Sequence, residues 1–159
     1  CAARMIHEAK EIVRVMPAAG CLPDADSFGI LINALCDCRR STDALLLMEE
    51  MVDKKGIMPR QSAIGKVVVA LTKIGEHRKT AKMIEFLERR SCELQFYAYE
   101  LVVKCCVRRS DFVMAGKMVA KMVDAGFFPY IRTRQMVLDG LVSSGHTDLA
   151  HIVSQKLNM

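Results

Sequence analysis

The fold is decided by the stretch ALLLMEEM, residues 44–51. Four of its apolar residues lie at the spacing i, i+3, i+4, i+7, which places them in one stripe along a helix: Ala44, Leu47, Met48 and Met51. The same spacing returns at intervals of 35 or 36 residues, in quartets that begin at Ala9, Thr80, Ala115 and Ala150. A spacing that keeps its register along the whole chain indicates a helical repeat.

A second set of quartets lies between the first, beginning at Phe28, Ile64, Tyr99 and Arg134. Each repeat therefore contains a first and a second amphipathic helix. Because glycine readily adopts the left-handed conformation that ends a helix, we expect turns within repeats at Gly75 and Gly145. Ser110 holds the equivalent position in the repeat between them. Turns between repeats are expected at the Gly-x-x-Pro segments 20–23, 56–59 and 126–129, whereas residues 91–94 lack both residue types. The hydroxyls expected to cap first helices belong to Ser27, Ser62 and Thr133.

A hairpin of this length cannot bury its own apolar face, so neighbouring hairpins must stack to form a core. The pattern predicts an all-α fold: a right-handed α-solenoid of helix-turn-helix repeats that forms a single domain over residues 1–159. The expected repeats are residues 25–60, 61–95, 96–130 and 131–159. Residues 1–24 are expected to be the second helix of an incomplete repeat, which suggests that the chain is part of a longer protein.

The composition excludes several classes of protein. The chain has 159 residues, 52% of them hydrophobic, and a net charge of +5, which is typical of a folded domain. Its apolar runs are too short for a membrane span. Its seven cysteines and four histidines do not have the spacing of a disulfide framework or a zinc site. We therefore expect reduced thiols, a reducing compartment, and no metal, cofactor, membrane or small-molecule substrate.

The sequence resembles the pentatricopeptide repeats. The resemblance rests on SFGILINALC at residues 27–36, ALLLMEEM at residues 44–51 and the Gly-x-x-Pro endings, and it covers essentially the whole chain. The tetratricopeptide repeat is the alternative, but its period is 34 and its signature contains Trp, which this chain lacks. The resemblance implies that the first helices line a concave groove that holds single-stranded RNA.

The charges are unequally divided between the two helix classes. Basic residues exceed acidic ones by six in the four expected first helices, counted over residues 27–40, 62–75, 97–110 and 132–145. They equal the acidic ones in the expected second helices, counted over residues 41–55, 76–90, 111–125 and 146–159. A basic groove would attract RNA phosphates. The residues predicted to contact phosphates or stack on bases are Lys66, Lys73, Tyr97, Lys104, Arg108 and Arg132.

The resemblance also implies which residues face bases, because family members read about one base per repeat through the fifth and last residues of each repeat. These pairs are Gly29 with Arg60, Gly65 with Gln95, and Glu100 with Tyr130, while Asp24 and Gln135 are half-pairs. None of the complete pairs has the family's usual Thr, Ser or Asn followed by Asn or Asp. The sequence therefore predicts little sequence-specific reading.

Two functions remain open at this point. The first is a non-catalytic RNA-binding segment of an organellar RNA-processing or translation factor, with single-stranded or ribosomal RNA as its partner. The alternative is a scaffold that binds other proteins of an organellar ribonucleoprotein, such as an organelle ribosome. No nucleophile–base arrangement indicates an enzyme. The expected compartment is an organelle, the mitochondrion in preference to the chloroplast.

Overall fold

The computed structural model describes Arg4, His7, Glu8, Lys10, Glu11, Arg14 and residues 24–158. The six residues near the N-terminus are helical, and the rest of the expected helix in residues 1–24, with its turn at 20–23, lies outside the described residues. Residues 24–158 form eight α-helices and contain no strand, so this part of the chain is an all-α helical-repeat solenoid as expected. The helices are α1 Ala25–Asp37, α2 Ser41–Asp53, α3 Gln61–Lys73, α4 His77–Arg89, α5 Phe96–Arg108, α6 Phe112–Asp124, α7 Ile131–Ser143 and α8 Thr147–Leu157.

The chain divides into two compact units, residues 1–71 and residues 72–159, with the boundary inside α3. In the first unit α1 packs against α2. The predicted stripes form their contact: Phe28, Leu31, Ile32 and Leu35 of α1 are buried, as are Ala44, Leu47, Met48 and Met51 of α2. Each large apolar side chain buried in this way stabilises the fold by about 1.5–3 kcal/mol.

In the second unit the helices pack in two rows. The first helices α5 and α7 contact each other, the second helices α6 and α8 do the same, and α6 and α8 also pack on their hairpin partners α5 and α7. The buried contacts come from the predicted stripes, including Val102, Val103, Met118 and Val119. Three stripe positions differ, because Arg134 and Leu138 in α7 and Ser154 in α8 are only half-buried. Stacked hairpins therefore share one core, as the repeat pattern requires.

The turns repeat as regularly as the helices. Gly75, Ser110 and Gly145 have left-handed backbones as predicted, with φ of +77°, +57° and +84°. After Ser110 and Gly145 the next residue donates its backbone N–H five residues back, with Asp111 N 2.9 Å from Cys106 O and His146 N 2.8 Å from Leu141 O. These bonds satisfy free carbonyls at the end of the helix. Arg39, with φ of +59°, occupies the same place after α1.

The joint at residues 91–94, which lacks both Gly and Pro, keeps the geometry of its counterparts. Ser91 has φ of +57° at the position of Gly56 and Gly126. Leu94 is buried at the position held elsewhere by Pro59 and Pro129, which are also buried. An apolar contact thus replaces the proline, while a serine takes the left-handed backbone.

The predicted hydroxyl caps are wrong. Helix α1 begins at Ala25, and the cap is Asp24, whose Oδ1 accepts from the backbone N–H of Ser27 at 2.8 Å. This bond is the main cause of the lowered pKa of the Asp24 carboxyl. Ser62 and Thr133 lie inside α3 and α7, because the first helices begin two or three residues earlier than caps at these hydroxyls would require.

Candidate nucleic-acid interface

Three of the predicted contact residues meet between α5 and α7. Lys104 on α5, Tyr130 just before α7 and Arg132 on its first turn line a depression of about 460 Å³, together with Thr133 and Met136. We call this depression the α5/α7 groove. The stacking of successive first helices places these residues together although they lie up to one repeat apart in sequence.

The Tyr130 ring is fixed from two sides. The Tyr130 and Phe96 rings form a T-shaped pair with centroids 5.1 Å apart, and the Lys104 ammonium lies 5.6 Å from the Tyr130 centroid. The ring is nevertheless 59% exposed. An exposed aromatic face beside a cation can stack on a nucleobase while the cation attracts the neighbouring phosphate.

Glu100 lies beneath the same groove and is 3% exposed. Its Oε1 accepts a hydrogen bond from the Thr133 hydroxyl, and the Lys104 ammonium lies 3.8 Å from that oxygen. Its Oε2 is buried and has no hydrogen-bond partner in the described part of the chain. The structure therefore places this predicted base-facing residue inside the contact of α5 with α7, while its predicted partner Tyr130 is exposed.

In the first unit the predicted site residues either form ion pairs with acidic side chains or are glycines within helices. Arg60 Nε donates to a carboxylate oxygen of Asp26. Lys66 donates to Asp37 with Nζ and Oδ1 2.8 Å apart, and this hydrogen bond raises the pKa of the Lys66 ammonium. Gly29 is half-buried in α1 and Gly65 is buried in α3, and neither offers a side chain to a base.

The remaining predicted residues are exposed. Lys73 ends α3, Gln95 precedes α5, and Tyr97 lies on the first turn of α5. Partial burial raises the pKa of the Tyr97 phenol. Gln135 on α7 donates its amide to Asp139 at 2.8 Å.

Arg108 lines a second depression, of about 760 Å³, formed by residues 74–78 and 108–111. We call this the inner-turn depression, because it lies between the turns that join the helices of two consecutive repeats. It contains Arg78 and Arg109, which the sequence analysis did not select as site residues. The adjacent pair Arg108-Arg109 at a first-helix end was the signal that could have identified the second arginine.

A hydrogen bond ties the two turns together. His77 Nε2 donates to Asp111 Oδ2 at 2.9 Å, and the backbone N–H of Met114 donates to the other oxygen at 3.3 Å. Partial burial raises the Asp111 pKa, but these two bonds and the charges of His77 and Arg78 outweigh it, so the pKa is lowered. Asp111 is therefore both the cap of α6 and a link to the start of α4.

The two depressions are connected along α5. Lys104 lines the α5/α7 groove and Arg108 lines the inner-turn depression. Residues four apart lie on one helix face, with a rise of about 6 Å between them. A basic track therefore runs within the second unit from Arg132 through Lys104 and Arg108 to the inner turns.

No three His, Cys, Asp or Glu side chains in the described part of the chain are grouped so that they could hold a metal ion. Likewise, none of the helices described here combines the length and apolarity that crossing a membrane requires.

Comparisons with known proteins agree with the repeat geometry. A family model described as "PPR repeat" matches residues 19–52. A pentatricopeptide repeat-containing protein of Arabidopsis thaliana is 42% identical over 107 residues, which are 67% of this chain and 31% of that protein. Another from the same plant is 26% identical over 115 residues, covering 70% of this chain and 12% of that protein. The chain thus spans a third or less of these relatives.

Solved structures show the same fold. The crystal structure of the pentatricopeptide repeat protein PPR10 from maize matches 97% of this chain and 24% of its own, with a TM-score of 0.67 and 15% identity. A PPR10 structure in complex with an 18-nt PSAJ RNA element matches 96% of this chain and 22% of its own, with a TM-score of 0.56 and 16% identity.

Proposed function

Because this chain is a pentatricopeptide repeat protein, we propose that it binds single-stranded RNA as a non-catalytic part of an organellar RNA-processing or translation factor. The observation that carries the proposal is the basic track of the second unit, which joins Lys104 and Arg108 on α5 to Arg132 on α7. The track faces solvent, since Arg108 and Arg132 are exposed. Neither arginine makes an ion pair with any described residue, so both guanidiniums are available to phosphates.

Binding would depend on the backbone of the RNA and on stacking. When lysine and arginine side chains neutralise phosphates, counterions are released, and affinity then falls as salt rises. Tyr130 supplies a π-face that accepts any base. Base-edge reading is weak in this segment, because Glu100 is already bonded to Thr133 and Gly29 has no side chain.

The test is a salt titration of labelled homopolymers of the four ribonucleotides against two double variants. Arg108→Glu with Arg132→Glu should weaken binding of all four and lower the slope of log K against log salt by about 0.7 for each phosphate that the protein no longer neutralises. The control is Lys82→Glu with Lys117→Glu, which makes the same change in charge at exposed positions of the second helices α4 and α6. Equal weakening in both variants would contradict a defined binding face.

The second candidate is a scaffold subunit of an organellar ribonucleoprotein, for example an organelle ribosome. It is favoured by the burial of Glu100 and Gly65. These two predicted base-facing positions offer no free side chain to a base edge, so RNA would be bound through its phosphates and its shape instead of its sequence. Sedimentation of the tagged full-length protein separates the two candidates. Comigration with a ribosomal subunit supports the scaffold, and recovery of one discrete transcript supports the RNA-processing factor.

The proposed compartment is an organelle, the mitochondrion in preference to the chloroplast. This placement rests on the family alone. Imaging the full-length protein with a fluorescent tag at its C-terminus, beside mitochondrial and plastid markers, tests it directly.

A further inference from the structure

We propose that the inner-turn depression is a phosphate-binding site for single-stranded RNA, in which Arg109 and Arg78 hold a phosphodiester beside Arg108. This inference rests on the proposed function and deepens it, because it assigns contacts with the RNA phosphate backbone to residues outside the first-helix face. Its ligand is defined by chemistry: an anionic, solvent-exposed phosphodiester oxygen that guanidinium groups can bind with paired hydrogen bonds.

The shape of the site comes from two left-handed turns. Gly75 and Ser110 both have positive φ, and the turns that contain them form opposite walls of the depression, at residues 74–78 and 108–111. At about 760 Å³ the depression is large enough for a nucleotide phosphate with its sugar. Because each wall belongs to a different repeat, stacking of the repeats creates the site.

Arg109 is held in place by the opposite wall. A Cβ placed on Gly75 would lie 3.5 Å from Arg109 Cδ and 3.6 Å from both Nε and Nη1, so the arginine side chain rests on the glycine backbone. A long side chain that is already ordered loses less conformational entropy when it binds a ligand. Arg109 is nonetheless exposed, and it makes no ion pair within the described part of the chain.

The acidic groups of the depression are occupied. Asp111 accepts from His77 at 2.9 Å and from the backbone of Met114, and Glu76 pairs with Lys79 outside the depression at 3.8 Å. Arg78 is held only loosely, with Nε 3.7 Å from Asp111 Oδ2 and its side chain 74% exposed. The lining therefore carries an excess of unneutralised guanidinium charge.

The outer-turn depression of the same unit has a different balance of charge. It measures about 600 Å³ and is lined by Glu88, Glu93 and Asp124, with Lys121 as its one cation among the described lining residues. Lys121 lies 3.8 Å from Glu88, and Lys156 pairs with Asp124 at 2.6 Å. Among its described lining residues this depression therefore offers no unneutralised cation to an RNA phosphate, whereas the inner-turn depression does.

Two measurements test the site: the RNA affinity of variants that lack its arginines, and the resonance of the Arg109 side chain when RNA is added. Arg78→Gln with Arg109→Gln is compared with Arg89→Gln with Lys117→Gln, which removes the same charge from exposed positions on α4 and α6. Affinity for labelled oligouridylate should fall about tenfold in the first variant and remain near that of the unchanged protein in the second. Thermal melting of both variants shows that each is folded.

Nuclear magnetic resonance of the Arg109 Nε–H group locates the contact. Titration with oligouridylate should shift this resonance, and an oligomer with an uncharged methylphosphonate backbone should not. If the unchanged protein binds oligouridylate but the resonance and the Arg78/Arg109 variant affinity do not move, the inference is wrong and the proposed function stands. If the unchanged protein binds no RNA at all, the proposed function fails and this inference fails with it.

Discussion

The ring of Phe112 in α6 lies against the backbone of Gly140 in α7, so closely that a Cβ at residue 140 would overlap the ring atoms Cδ1 and Cε1. Gly140 is also buried. In contrast, a Cβ on Gly29 in α1 would have no neighbour within 4 Å. Gly140 therefore allows the two helices to pack closely, whereas a larger residue at position 29 would meet no neighbour.

We expect Gly140→Ala to destabilise the protein by about 1 kcal/mol or more, because the overpacking exceeds the gain in helix propensity. Gly29→Ala is the control and should stabilise it by about 0.5–1 kcal/mol. Urea unfolding followed by circular dichroism measures both. Combining Gly140→Ala with Phe112→Leu should recover part of the stability, and a Gly140→Ala variant as stable as the original would contradict the close contact.

Ser110→Gly should stabilise the protein by about 0.5–1 kcal/mol. The φ of Ser110 is +57°, a conformation that is strained for a residue with a Cβ and free for glycine. Ser154→Gly, inside α8, should cost about 0.5–1 kcal/mol for the opposite reason. Thermal melting of the two variants should therefore shift in opposite directions, and a shift of the same sign would argue against strain at Ser110.

Thr133→Val should destabilise the protein by about 1–3 kcal/mol, because it leaves the buried Glu100 carboxyl without its hydroxyl donor. Adding Glu100→Leu should return most of that stability, since replacing both polar partners by apolar groups removes the unsatisfied acceptor. Thr147→Val at an exposed site in α8 is the matched control. Additive destabilisation in the double variant would show that the two residues are not coupled.

Acid unfolding should depend on Asp111. Its pKa is lowered in the folded protein, so the unfolded chain takes up the proton first as the pH falls. The carboxylate therefore contributes stability above its unfolded pKa of about 3.9, and this contribution is lost as the pH falls through the folded pKa. In Asp111→Asn the fall in melting temperature below about pH 4 should be shallower than in the unchanged protein. A profile in Asp111→Asn as steep as that of the unchanged protein would contradict this role of the carboxylate.

Cys106 should resist alkylation in the folded protein. Burial raises the pKa of its thiol to about 12, so the reactive thiolate is scarce at neutral pH. Cys38 lies half-buried at the inner turn after α1 and should react with iodoacetamide faster than Cys106. Mass spectrometry of the modified peptides measures the order, and labelling of Cys106 at the rate seen in urea would show that its environment is open.

The sequence predicted the repeat because the features that define it depend on residues close together in the chain. Apolar residues at helical spacing recur with a fixed period, and residues such as Gly75 mark where each helix must end. Secondary structure and turn positions follow from interactions within a few residues. The all-α solenoid and the family resemblance could therefore be derived without coordinates, whereas Ser91 and Arg39 show that a left-handed turn needs no glycine when neighbouring hydrogen bonds impose it.

The tertiary structure decided how the charged residues are used, because their partners lie one repeat away. Thr133 and Glu100 are separated by 33 residues, as His77 and Asp111 are by 34, and no local pattern reports whether such a pair meets. The same stacking buries the predicted base-facing Glu100, ties Lys66 to Asp37 and lays Arg109 over Gly75. The period fixes which helices are neighbours, but the individual side chains that fill each contact decide which charges remain free to bind a ligand.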